Sequence, residues 1–422
     1  MTVQFISASY VNDSTELHPR PGQGIDPGFL RRYARALDEY GFDYTLLPYG
    51  SAGYDPFTVG ATIAQHTERV RPLIALRPNT LYPTVAAKAL ATLDQLSGGR
   101  AAVHIISGGD DHEQAREGDR LPKARRYARS AEFIEILRRV WTSAEPFDHA
   151  GEHYAFEDFR AEYRPLAGTI PVSVGGSSPE AYRVGGALGD IFGLWGEPLA
   201  ETRTQIDAVY REAERAGRTD RPRIWVTFRP IIAPTEELAW EKAHRVLAAL
   251  RRPGAEDATA RWPRAAGRPQ NVGSRRLLDI ADRGELHDRA LWTPTATATN
   301  ARGASTALVG TPETVAAAIL DYVDLGAELI SIRGYDNLND AIDYGRYVLP
   351  LVRQELAARE RGESRPPAGP PVPPPGSPFA TEPAATEASP TAPTAPNEAV
   401  PPVTATTEPP TDAARPAAAA TR

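Results

Sequence analysis

The stretch "PVSVGGSSPEAY", Pro171 to Tyr182, runs a short apolar strand into Gly175, Gly176, Ser177 and Ser178 before Pro179 opens what reads as a helix. Ser178 suits a helix N-cap and Pro179 the first helical position. Glycines let backbone amides crowd against a ligand, and a helix start carries unpaired N–H groups. Such a stretch can cradle an anion, usually phosphate. A plain strand-to-helix turn has the same composition, so the stretch alone leaves both readings open. His104 interrupts an apolar run and reads as a core or supporting residue, whereas His112, after "SGGD", is a candidate for a pocket rim. "DDHEQ" reads as a loop, because no His and carboxylate cluster has metal-ligand spacing.

The elements that must position these residues alternate. Strand-like runs are "VQFISAS", "DYTLLP", "PLIALR", "AAVHIIS", "IPVSV", "DIFGLW", "RIWVTFRPII" and "ELISIRG". Helix-like runs separate them: Pro27–Tyr40, Asp55–Gln65, Pro83–Leu96, Lys123–Trp141, Pro179–Leu188, Leu199–Ala216, Thr235–Leu250 and Asn337–Ala358, with an extra helix at Thr311–Leu325. About eight strand–helix units with mostly apolar strands predict an α/β fold, a (β/α)8 TIM barrel. No "GxGxxG" follows the first strand, which argues against a dinucleotide site.

A barrel places its active site at strand C-termini. Those positions hold Tyr10 and Asn12, Gly50 to Tyr54, Arg77 to Thr80, Ser107 to Asp110, Gly175 to Ser178, Trp195 and Glu197, Arg229, and Arg333 to Tyr335. Glycine, arginine and polar residues cluster there. The segment from Arg251 to about Ser305 is too long for an ordinary connection and carries Arg251, Arg252, Arg261, Arg264, Arg275 and Arg276. It reads as a mobile lid inserted before the last strand, closing over an anionic substrate. A solvated, partly helical insertion is the other reading.

The chain has 422 residues, a net charge of -7 and no cysteine. That excludes disulfides, thiolate nucleophiles and cysteine-held metal clusters, and leaves no basic field for nucleic acid or an anionic membrane. No apolar run has the length of a membrane span, and "MTVQFISASYVNDS" reads as a first strand rather than a signal peptide, so a cytoplasmic protein is expected. From about Arg361 the composition shifts to Pro, Ala, Thr and Glu with a single aromatic residue, Phe379. The reading is one barrel domain over 1–358, with a disordered Pro-rich tail over 359–422.

Several blocks together resemble the bacterial-luciferase-like flavin monooxygenases, and among them the alkanesulfonate monooxygenases that use reduced FMN. They are "LRPNTLYPTVAAKALATLDQLSGGR" (Leu76–Arg100), "IISGGDDHEQAREGD" with "RYARSAEF" (Ile105–Phe133), "VGGSSPEA", "LWGEP", "ARGASTALVGTPETVAAAI" and "RGYDNLNDA". The resemblance spans about Val3–Leu356 and implies that Ser177, Ser178, Gly175 and Gly176, with Tyr127, hold the FMN phosphate. Ser107 and Lys123 join this cofactor set. It also implies a separate NAD(P)H:FMN reductase, O2, an organosulfur substrate cleaved to aldehyde and sulfite, and a homodimer or homotetramer. On the substrate side it assigns Arg302, Tyr335 and Trp195, and a sulfonate suits arginine's fork of donors.

Three departures remodel that site. Thr227 and Arg229 stand where the family carries arginine and histidine, so a permanent cation replaces a titratable ring. Gly53 stands in place of a cysteine, and Lys123 in place of a histidine. The cofactor half is thus expected to be intact. The substrate half, with Arg77, Arg229, Arg302 and Arg333, is expected to be strongly cationic. Another substrate, such as a sulfone, an alkane or a heteroaromatic sulfur compound, stays open, as does flavin binding without catalysis.

Overall fold

The computed structural model describes residues 3–20, 22–252, 267–303 and 305–363. Eight parallel strands close a barrel in the order β1 (Gln4–Ala8), β2 (Tyr44–Leu47), β3 (Arg71–Leu76), β4 (Ala102–Ile105), β7 (Val172–Gly175), β8 (Ile191–Trp195), β9 (Arg223–Ile232) and β13 (Ala327–Ile332), with β13 returning to β1. The chain is an α/β TIM barrel, as the alternation predicts. Between β4 and β7 an antiparallel hairpin, β5 (Phe147–Ala150) and β6 (Ala155–Phe159), stands apart from the barrel.

Local chemistry starts the helices. Asp26, Asp55, Ser178, Thr235 and Thr311 each accept a backbone N–H from the first turn, and four of the five are followed by proline. That pairing of cap and fixed φ fixes where each strand-to-helix loop ends. One layer of the barrel interior is filled from seven strands by Ile6, Tyr44, Leu73, Ala102, Ile191, Trp225 and Leu329. A larger apolar cluster packs the helices on the outside of the strands. Above that interior layer the inward-facing positions of several strands turn polar, with His104, Ser173, Thr227 and Ser331.

The long insertion is described in part, and one helix expectation is corrected. The described part of the long insertion is built structure: a helix at Val272–Ala281, short strands β10 (Leu286–His287) and β11 (Leu291–Trp292), and a helical turn at Pro294–Ala298. It leads into β12 (Ala307–Gly310), which pairs in parallel with the far half of β9, Ala307 against Arg229 through Gly310 against Ile232. Arg261 and Arg264 lie outside the described residues. The helix expected over Asn337–Ala358 is broken. A π-helical turn at Tyr344–Val348 divides Asn337–Asp343 from Leu349–Glu360, where Pro350 sits in the first turn. That last helix runs into the segment read as tail, and residues 364–422 are outside the described part. Among the described residues, no helix is long and apolar enough to cross a membrane.

Candidate active site

Two joined cavities open at the C-terminal mouth of the barrel. The larger, about 460 Å³, is lined by strand ends and walls, including Tyr10, Arg77, His104, Ser107, Trp195, Trp225, Thr227 and Arg333. The smaller, about 240 Å³, lies over the start of the helix Pro179–Leu188 and holds Lys123, Arg126, Ser178 and Arg275. Gly108, Gly109, Tyr127, Gly176, Ser177, Asn271 and Gly273 line both. The sequence-predicted cofactor residues Ser177, Ser178, Gly175, Gly176, Tyr127, Ser107 and Lys123 are all brought to this continuous cleft.

Their roles within it differ. Ser178 is buried and caps its helix, accepting from Ala181 N, while Ser177 faces both cavities. Gly176 has φ +139°, and a Cβ there would come 2.8 Å from Ala181 and 2.9 Å from the Tyr127 hydroxyl. Only glycine brings the backbone this close. Burial raises the Tyr127 hydroxyl above its usual range, with hydrogen bonding to Ser178 opposing it. Lys123 Nζ sits 3.3 Å from Glu180 in the first turn of the helix. Arg126 is buried, donating to Ser107 O at 3.0 Å and to Asp111 at 2.8 Å, and so pins the loop after β4. Ser107 shares a 2.8 Å hydrogen bond with Ser130.

The substrate half departs from expectation. Arg229 is 2% exposed and lines neither cavity. It is ion-paired to Glu16, donates to Gly334 O at 2.9 Å and stacks 3.7 Å from the centre of the Tyr335 ring. Burial alone would raise the Glu16 carboxyl, yet Arg229, with Arg333 behind it, holds it below its ordinary range. Tyr335 is buried beneath this pair, its hydroxyl pushed up by desolvation, and it too lines neither cavity. The reason is β9's length: Arg229 lies beyond the barrel proper, in the half covered by β12. Arg302 is exposed, and it is the neighbouring Gly303 that lines the large cavity. Trp195 does line it. The insertion helix starts against its ring, where a Cβ on Gly273 would come 2.9 Å from the indole.

Arg77 also lines the cavity, but its guanidinium is held by two carboxylates, Glu113 at 2.6 Å and Glu117 at 2.8 Å. Tyr49 donates to Glu117, and burial first, then this carboxylate, pushes its hydroxyl up to about 12. Arg77, one of the cations expected in the pocket, is therefore neutralised from within. Glu197, fully buried at the end of β8, pairs with Arg276 and so fastens the insertion helix to the barrel. Burial pushes the Glu197 carboxyl up even so.

His104 lies on the floor of the large cavity rather than in a closed core. Its Nδ1 is 2.9 Å from Ser173 Oγ and its ring meets Trp225 edge to face at 5.1 Å. Desolvation pushes it down to about 4, so the ring is neutral near pH 7. Sequence reasoning missed this placement. The signal lay in Gly175, a residue without a side chain on the neighbouring strand β7 that leaves the imidazole uncovered.

The residues fit a flavin mononucleotide. The joined cavities have the size of a small-molecule site. The smaller one presents Ser177, Lys123, Arg275 and a helix N-terminus, the donor set a phosphate needs. The larger is walled by rings and backbone.

Comparison with known proteins agrees. The family model described as luciferase-like monooxygenase matches residues 9–329. Among solved structures, a riboflavin lyase determined with modified FMN and substrate riboflavin is 21% identical over 88% of this chain and 94% of its own, with a TM-score of 0.69. An EDTA monooxygenase from Chelativorans sp. BNC1 is 18% identical over 87% of this chain and 96% of its own, with a TM-score of 0.66. An F420-dependent secondary alcohol dehydrogenase, seen with an F420–acetone adduct, is 16% identical over 84% and 100%, with a TM-score of 0.60. At these identities the structural likeness speaks for the fold.

Proposed function

Because the chain belongs to the luciferase-like monooxygenase family, we propose that it is a two-component flavin monooxygenase that cleaves the C–S bond of an alkanesulfonate to aldehyde and sulfite. A separate NAD(P)H:FMN reductase would supply reduced FMN, and the bound reduced flavin supplies the electrons for oxygen activation. Ser177, Lys123, Arg275 and the amides at the start of Pro179–Leu188 hold the phosphate. Trp195 and the insertion helix packed on it cover the mouth and keep water from the reacting atoms. Arg333 is the cation placed on the cavity wall to take the sulfonate. The remaining proposals are a catalytic unit over 1–358, a covering insertion over 251–305, an appended tail over 359–422, a cytoplasmic location and a homodimer or homotetramer.

The observation that carries this reading is the continuity of the two cavities through Ser177, Gly176 and Tyr127. A phosphate cradle opens directly into a ring-walled chamber at the mouth of the barrel.

A second reading keeps the chemistry and changes the substrate to a neutral sulfone, alkane or heteroaromatic sulfur compound. It is favoured by the carboxylates on Arg77 and Arg229, which leave those cations already paired. Sulfite release from a panel of alkanesulfonates and sulfones, with enzymatically supplied reduced FMN, separates the two. Sulfite from sulfonates supports the first reading. Turnover of sulfones alone supports the second, and consumption of neither class overturns both.

A further inference from the structure

His104 stands midway along β4, yet part of its ring is open to the large cavity. Gly175 allows this, and Gly193 does the same for the neighbouring Trp225 ring. A Cβ on Gly175 would come 3.0 Å from His104 Cε1, and one on Gly193 would come 3.1 Å from the Trp225 ring. Any other residue at either position would cover a ring that now forms the floor. The imidazole is also oriented. Its Nδ1 is engaged with Ser173 Oγ at 2.9 Å, while Nε2 meets no hydrogen-bond partner among the described residues. The Ser173 contact thus orients the ring with Nε2 toward the cavity, and because the serine hydroxyl both donates and accepts, Nε2 can serve a ligand in either role.

A nitrogen fixed in this way, beside the Trp225 ring in a cavity also lined by Trp195 and Tyr10, is matched to a flat heteroaromatic ligand with carbonyl and N–H groups on its edge. We infer that His104 is a binding contact for the ring system of the flavin, with Ser173 as its positioning residue. This rests on the cofactor reading above. It adds a contact in the larger cavity, outside the smaller one that holds the phosphate donors, where His104 recognises the ring and not the phosphate.

The test titrates the native chain and the variants His104→Phe, His104→Gln and Ser173→Ala with oxidised FMN and with riboflavin, following flavin fluorescence and the visible absorption bands. Loss of one hydrogen bond at a buried contact is expected to raise Kd about tenfold in His104→Phe, equally for FMN and riboflavin. His104→Gln, which keeps a hydrogen-bonding group, should recover most of the affinity, and Ser173→Ala should lose about threefold. If the native chain binds both flavins and the His104→Phe variant binds them as tightly, with unshifted bands, His104 only fills space and the inference is overturned. Should His104→Phe fail to fold, Ser173→Ala decides, with an unchanged Kd and spectrum overturning the proposal. Failure of the native chain to bind either flavin overturns the cofactor reading, and this inference with it.

Discussion

Replacing His104 by glutamine should flatten the acid side of the stability curve. Burial at the cavity floor pushes the folded imidazole down to about 4, whereas an unfolded chain holds it near about 6.5. Between those values the unfolded state binds a proton that the folded state does not. Stability therefore falls as pH drops through about 6.5, and the loss is complete below about 4. The gap corresponds to about 3 kcal/mol in full, of which about 2 kcal/mol is lost by about pH 5. Glutamine does not titrate and removes this contribution. Urea unfolding of the native chain and the variant at about pH 7.5 and 5 gives the difference directly. The native chain should lose about 2 kcal/mol more than the variant between the two conditions. Equal losses would show that the folded imidazole protonates as freely as the unfolded one, and that burial at the cavity floor does not desolvate it.

Other perturbations test other parts of the site. Glu16→Gln leaves the buried Arg229 guanidinium without its carboxylate and should cost about 2–3 kcal/mol in urea unfolding, since a stranded buried charge is the expensive outcome. An unchanged midpoint would mean the pair is not formed in solution. Gly176→Ala forces a Cβ against Ala181 and Tyr127 at φ +139°. It should destabilise by roughly 1–2 kcal/mol and weaken FMN binding, and a variant that melts and binds like the native chain would contradict the cradle geometry. Ser177→Ala combined with Lys123→Ala should raise the Kd for FMN about tenfold and leave riboflavin unchanged, because only FMN carries the phosphate. Equal effects on the two flavins would move the phosphate elsewhere.

The barrel was legible because buried parallel strands and their capped helices leave strong local marks: "PLIALR" and "DIFGLW" are apolar but for one charged residue at an end, and Ser178–Pro179 announces its helix. The cofactor half was legible for the same reason, since its residues sit at strand and helix ends close together in the chain. Arg229 was not. Its position beside the mouth follows from β9, but its partner Glu16 lies far back in the sequence, and β12, which covers that half of β9, is too short to stand out between the insertion and the helix that follows. His104 was misplaced because a buried parallel strand carries no polar–apolar alternation to tell the inward face from the outward one. Only the empty space over Gly175 exposes it. The β5–β6 hairpin escaped notice because its residues, "FDHA" and "AFEDF", are largely exposed and give no core signal.

The most direct test of the account is an anaerobic titration of the full chain with reduced FMN, repeated with reduced riboflavin and reduced F420. Saturable binding of reduced FMN, weaker binding of riboflavin and no comparable binding of F420 is the predicted result. Preference for F420, or equal binding of FMN and riboflavin, would contradict the phosphate cradle and the reduced-FMN site it defines.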